Sequence, residues 1–153
     1  MRTVQFSCTV LSPIGSVAQY HSTVQTLFRL TPPSRHARLE GEAAPMAPGV
    51  VYHIVVKQFG FIPIHIHSRI ERMDMPNLFQ DCQLPGKGPF KHWCHTHQFT
   101  AINDTTTLIT DTVEYSMPFG PLGELVDLLV VSADLKRLFD YRHKITKQDL
   151  ETD

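Results

Sequence analysis

The order of segments along the chain predicts an α+β protein, in which a curved antiparallel sheet of about seven strands wraps around one long C-terminal helix and two short helices follow the first strand. Three observations carry this reading. Apolar and polar residues alternate in several segments, turn residues close each of those segments, and the last part of the chain keeps a helical period over about 25 residues.

In the first strand Val4, Phe6, Cys8 and Val10 alternate with Thr3, Gln5, Ser7 and Thr9. Ser12-Pro13 then has the form of a helix start, serine as N-cap and proline in the first turn. Val17, Tyr20, Val24, Leu27 and Phe28 follow at helical spacing, and Leu30-Thr31-Pro32-Pro33 ends the helical part, which divides into two short pieces. Residues 35–42 read as a weak second strand and 43–49, with two prolines and a glycine, as a loop. Val50 to Gln58 is rich in β-branched residues, and Phe59-Gly60 joins it as a hairpin to the clearest alternation in the chain. There Ile62, Ile64, Ile66, Ser68 and Ile70 take one face, and Pro63, His65, His67, Arg69 and Glu71 the other.

Asp74-Met75-Pro76-Asn77 turns the chain into a strand from Leu78 to Leu84, and residues 85–89 break it again. The next strand places Trp93, His95, His97 and Phe99 on one side, since a strand has a side-chain period of two. Asn103-Asp104 turns it into Thr105 to Met117. Gly120-Pro121-Leu122-Gly123 opens the final helix, whose apolar contacts come from Leu122, Leu125, Val126, Leu129, Ala133, Leu138 and Phe139. About 25 residues at 1.5 Å rise make a rod of nearly 40 Å, enough to cross a whole sheet. The expected organisation is one domain, residues 1–148, with a polar tail at 149–153.

Composition narrows the function. With 14 basic and 15 acidic side chains and a net charge of −1, no nucleic-acid partner is expected, since such a surface needs clustered Lys and Arg. The longest aliphatic run, Leu128 to Val131, is too short for a transmembrane segment, and the first residues lack the apolar block of a secretory signal. Cys8, Cys82 and Cys94 are odd in number and widely spaced. That pattern predicts neither a disulfide framework nor a cysteine zinc site, with Cys94 as a packing residue and a reducing cytoplasm as the simplest location. Oligomeric state is open.

The order of elements resembles the START/Bet v1-like superfamily, also called the SRPBCC or polyketide cyclase/dehydrase-like superfamily, over nearly the whole chain. The resemblance is to a bacterial ligand-binding group. It rests on Ser12-Pro13, Leu30-Thr31-Pro32-Pro33, Gly88-Pro89-Phe90, Trp93-x-His95-Thr96-His97-x-Phe99, Asp111-x-Val113-Glu114-Tyr115, Pro118-Phe119-Gly120-Pro121-Leu122-Gly123 and Phe139-x-Tyr141-Arg142. Two loops depart from the pattern, a longer Leu84-Pro85-Gly86-Lys87 and Asn103-Asp104-Thr105 in place of a glycine-rich turn. The resemblance implies a helix-grip fold and a hydrophobic, lipid-accepting pocket rather than a particular reaction.

For the wall of that pocket Tyr52, Ile54, Trp93, Phe99, Tyr115 and Phe139 are the candidates, because aromatic rings bury large area and tyrosine adds a polar tip. His95 and His97 are candidates to orient a ligand, and Arg142 to bind an acidic group on it, although a cation there also complements the helix dipole. An acid/base pair would join His95 or His97 to Asp111 or Glu114, and pairing register decides which carboxylate faces the histidines. A zinc site on His95 and His97 needs one or two further ligands from neighbouring strands. His65 and His67 repeat the spacing, but on the polar face of their strand, in water. No metal and no cofactor are expected. The leading expectation is binding of a small hydrophobic or amphipathic molecule between sheet and final helix, without catalysis. A cyclase or dehydratase using His95 or His97 as acid or base is the second reading, and a protein interaction module the third.

Overall fold

A computed structural model describes residues 1–151. Its seven strands form one antiparallel sheet: β1 (Arg2–Val10), β2 (Arg38–Glu40), β3 (Val51–Gln58), β4 (Ile62–Asp74), β5 (Leu78–Gln83), β6 (His92–Asn103) and β7 (Thr106–Ser116). They lie in the order β1-β7-β6-β5-β4-β3-β2. Two short helices, α1 (Ile14–His21) and α2 (Val24–Arg29), follow β1, and a final helical segment closes the chain. The α+β helix-grip architecture expected from the sequence is therefore the one observed.

Two register shifts, between Ile70 and Arg72 on β4 and between Ala101 and Asn103 on β6, bend the sheet. The concave side carries the alternate residues read as apolar. On β7 Ile109, Val113 and Tyr115 are buried together with Asp111, and on β6 His95, His97 and Phe99 are buried while Gln98 and Thr100 are exposed.

The final segment is less uniform than its sequence suggests. It runs as α3 (Gly120–Val126), one wide π-helical turn (Asp127–Val131) and α4 (Ser132–Leu150). The wide turn has a visible cause. Asp127, buried at 3% exposure, accepts hydrogen bonds from Tyr115 Oη at 2.7 Å and Ser132 Oγ at 3.2 Å, and pairs with Arg2. Gly123 packs so tightly under the preceding loop that a Cβ there would lie 1.9 Å from the Pro118 carbonyl oxygen, which no other residue allows. Phe139 of α4 stacks on Phe6 of β1, ring centroids 4.5 Å apart, and fixes the helix across the sheet.

Three expectations need correction. Cys82 and Cys94 form a disulfide, with Cα atoms 4.1 Å apart. They are directly opposed on β5 and β6, and a register pair of close Cα atoms needs no sequence motif. Cys94 is therefore not a mere packing residue, and the cysteine pattern no longer argues for a reducing compartment. Ser12 does not cap α1: Pro13 occupies the cap position without a side-chain bond, while Thr23 caps α2 by accepting from the Thr26 amide at 3.2 Å. Finally, α4 runs past residue 148. Asp149 bonds Tyr20 Oη at 2.7 Å and forms a bidentate pair with Arg29, so the start of the expected tail is tied to α1 and α2. Residues 152–153 of that tail lie outside the described residues. No helix among the described residues is long and apolar enough to cross a membrane.

Candidate functional site

Between the concave sheet and the final helix lies a cavity of about 330 Å³. Its apolar wall comes from Tyr52, Ile54 and Val56 on β3, Ile64, Ile66 and Ile70 on β4, Leu27 and Leu30 on and after α2, and Leu135 and Leu138 on α4. The alternation that gave β4 an apolar face thus points that face at the cavity. A polar end is built by Ser68, Asp81, His95, His97 and Arg142. A second, open depression of about 700 Å³ lies beside α1 and α2, but its lining holds no titratable side chain.

The polar end has one organising residue. Asp111, on β7 directly opposite His97 of β6, is 4% exposed. Its Oδ1 lies 2.9 Å from His95 Nε2 and 3.2 Å from His97 Nδ1, and its Oδ2 lies 2.8 Å from His143 Nε2 on α4. Register also decides the question the sequence left open. Glu114 pairs with Cys94 and belongs to the other face, so Asp111 is the carboxylate that meets the histidines. A second carboxylate, Asp81 of β5, is directly opposite His95. Its Oδ2 lies 3.3 Å from His97 Nε2 and 3.9 Å from His95 Nδ1, and its Oδ1 accepts from Ser68 Oγ at 2.8 Å.

Burial and hydrogen bonding pull these groups apart in charge. Burial would raise the Asp111 carboxyl, yet the hydrogen bonds from His143, His95 and His97 outweigh it and hold Asp111 well below the usual carboxylate range. Asp81 is lowered in the same way, against burial, by His97, His95 and Ser68. Burial, with the neighbouring His97, pushes His95 down to about 4. His97 goes the other way: burial opposes its charge, but contact with both Asp111 and Asp81 raises it. His143 rises against burial to about 9 through its bonds to Asp111 and Cys8. Burial lowers the Arg142 guanidinium, whose Nε is buried without a hydrogen-bond partner and whose carbon lies 5.4 Å over the Phe139 ring.

Of the residues singled out from sequence, Tyr52, Ile54, Trp93, His95, His97 and Arg142 line the cavity. Phe99, Tyr115 and Phe139 do not. Phe99 packs with Val10, Val17 and Phe79, Tyr115 bonds Asp127, and Phe139 lies between Phe6 and the edge of His95. Asp81 and His143 were not foreseen. Both carry a faint signal, Asp81 as an acidic residue within a strand and His143 one helical turn beyond Phe139. On the convex face His65 is exposed as expected, but it is not alone in water: its Nδ1 lies 2.9 Å from His53 Nε2, and His67 stacks on His53.

No family model matches the chain and no curated protein matches it. Solved structures do. The Zhui aromatase/cyclase of Streptomyces sp. R1128 superposes with a TM-score of 0.78 at 16% identity, over 98% of this chain and 93% of that one. A START superfamily protein from Mycobacterium smegmatis gives 0.71 at 10% identity over 97% of both chains. A norcoclaurine synthase from Thalictrum flavum, in complex with a transition-state analogue, gives 0.69 at 14% identity over 97% of this chain and 95% of that one. Identities this low speak to fold alone. The chain has the START/Bet v1-like, or SRPBCC, fold.

Proposed function

We propose that the protein binds a small hydrophobic or amphipathic, lipid-like molecule in the cavity between the sheet and α4. The observation that carries this reading is the composition of the cavity: a wall of isoleucine, leucine, tyrosine and tryptophan with a polar cluster that includes Arg142, whose buried Nε has no hydrogen-bond partner. Its volume of about 330 Å³ is at the small end of ligand pockets, which run from roughly 300 to 1,000 Å³. Apolar lining favours the body of such a molecule, and the polar end orients it. Native mass spectrometry of freshly purified protein tests this: a reproducible bound mass of lipid-like composition is expected. A chain that stays empty after exposure to a broad set of fatty acids, sterols and aromatic polyketides would sink the proposal.

A second reading has its own support. His95 and His97 line the cavity, His95 Nε2 hydrogen-bonds the buried Asp111 and His97 Nδ1 lies 3.2 Å from the same carboxylate, the geometry of an oriented acid or base. The fold is shared with an aromatase/cyclase and with norcoclaurine synthase. On this reading the protein turns over an aromatic or polyketide-like substrate, and turnover should drop at least 100-fold in folded His95→Ala and His97→Ala variants. Unchanged turnover in both excludes these residues as acid or base.

A further inference from the structure

His95 and His97 lacked a third ligand in the sequence, and the fold supplies one. Asp111 holds the far side of both imidazoles, through His95 Nε2 and His97 Nδ1. The near nitrogens, His95 Nδ1 and His97 Nε2, lie 3.9 and 3.3 Å from Asp81 Oδ2, the second as a hydrogen bond, and one ligand atom from each of the three residues lies within 4.8 Å of the others. At 3.9 Å the His95 Nδ1 to Asp81 Oδ2 separation is too long for a hydrogen bond. In the tautomer that donates from Nε2 to Asp111, His95 Nδ1 carries a lone pair, so two electron-rich atoms face one another. A proton on His97 Nε2 satisfies Asp81 but leaves His95 Nδ1 without a partner there. A divalent ion satisfies all three atoms together.

We propose that Asp81 Oδ2, His95 Nδ1 and His97 Nε2 form a site for one divalent first-row transition-metal ion, of the Fe²⁺ or Zn²⁺ type, with its open positions facing the cavity. Two imidazoles and one carboxylate are the donor set such ions take, whereas Mg²⁺ and Ca²⁺ prefer oxygen alone. Ligand atoms around a tetrahedral ion at 2.0–2.1 Å lie about 3.3 Å apart, so separations of 3.3 and 3.9 Å close with small side-chain movements. The outer partners are in place as well. A carboxylate orients both imidazoles from behind, and Ser68 holds the free oxygen of Asp81. Arg142 and the imidazole of His143 on Asp111 oppose a cation here, and the carboxylates of Asp81 and Asp111 favour it. The proposal is independent of whether an organic ligand enters the cavity.

A competing cluster on the convex face, Glu40, His53 and His65, provides the control. There the two histidines already bond each other at 2.9 Å, and Glu40 accepts from Arg38 at 2.9 Å. Untagged, chelator-treated protein is titrated with Co²⁺, followed by visible d–d absorption and by quenching of Trp93, the single tryptophan and two residues along the same strand face from His95. The wild-type chain should bind one Co²⁺ with quenching, and the His53→Ala/His65→Ala variant should bind it unchanged. Asp81→Asn should weaken binding by more than about 100-fold, and Asp111→Asn by about 10- to 100-fold. Absence of stoichiometric Co²⁺ binding in the wild type, or its loss in the convex-face variant, overturns the proposal. Because that variant alters only the outer face, the result decides even where Asp81→Asn does not fold.

Discussion

His21 is a residue whose single proton has consequences for stability. It is buried at 8% exposure on α1, its Nδ1 donates to the Val17 carbonyl at 2.9 Å, and its ring lies against Phe99. Burial lowers its pKa to about 4, helped by His97 and Arg142 and opposed by Val17 and Asp111. Between about pH 6.5 and 4 the unfolded chain therefore binds a proton that the folded chain refuses, so stability falls with acid across that window. His95, also lowered to about 4, adds to the same limb. His143, raised to about 9, has the opposite sign: its contribution is complete below about pH 6.5 and is lost as pH rises through 9. Urea midpoints measured from pH 7 to 4.5 should fall steadily, and His21→Gln should flatten that slope by about one proton. An unchanged slope would show that His21 is not the group responsible. The sequence placed His95 and His97 on one face because strand period is local information. It left Asp111 and Glu114 unresolved because register is set by partner strands. It missed Asp81 and His143 because nothing near either residue announces what lies across the sheet or on the helix above it.

At the level of elements, the pairing of β5 with β6 is fixed covalently. Asp81 opposes His95, and the next pair, Cys82 and Cys94, is a disulfide directed to the opposite face. The covalent link thus holds in register the two strands that bring Asp81 to the histidines. Thiol counting under denaturing conditions should find one reactive cysteine, Cys8, before reduction and three after it. Three before reduction would contradict the bond. After reduction, stability should fall by about 2–3 kcal/mol, as expected for a closed loop of a dozen residues. The turns on either side delimit β5 as a strand but do not show which residue of β6 each of its residues meets, so the bond could not be read from spacing. The wide turn at Asp127 was equally hidden. Its helical sequence carries no such signal, and two partners of its Asp127, Tyr115 and Arg2, lie on other elements.

For the molecule as a whole, Asp111 is a polar link between sheet and helix, since its two oxygens bind β6 on one side and α4 on the other. Asp111→Ala leaves three imidazoles facing a void and should cost about 3–5 kcal/mol, seen as a lower urea midpoint. A loss below about 1 kcal/mol would mean that apolar packing of Phe139 and Leu135 alone holds the helix. The overall architecture was legible because about seven strand segments, several of them clearly alternating, and one long helix admit few arrangements. The cavity was legible only as an expectation, since its size depends on how far two bulges curl the sheet. The strand order also bears on how the chain is made. β1 pairs with β7 alone, Arg2 against Tyr115, so a chain emerging from the ribosome at about 5–20 residues per second carries its first strand unpaired for roughly 5–20 s. Through that interval the alternating Thr3, Gln5, Ser7 and Thr9 leave only one side of the strand adhesive, and the sheet can close only after β7 has been made.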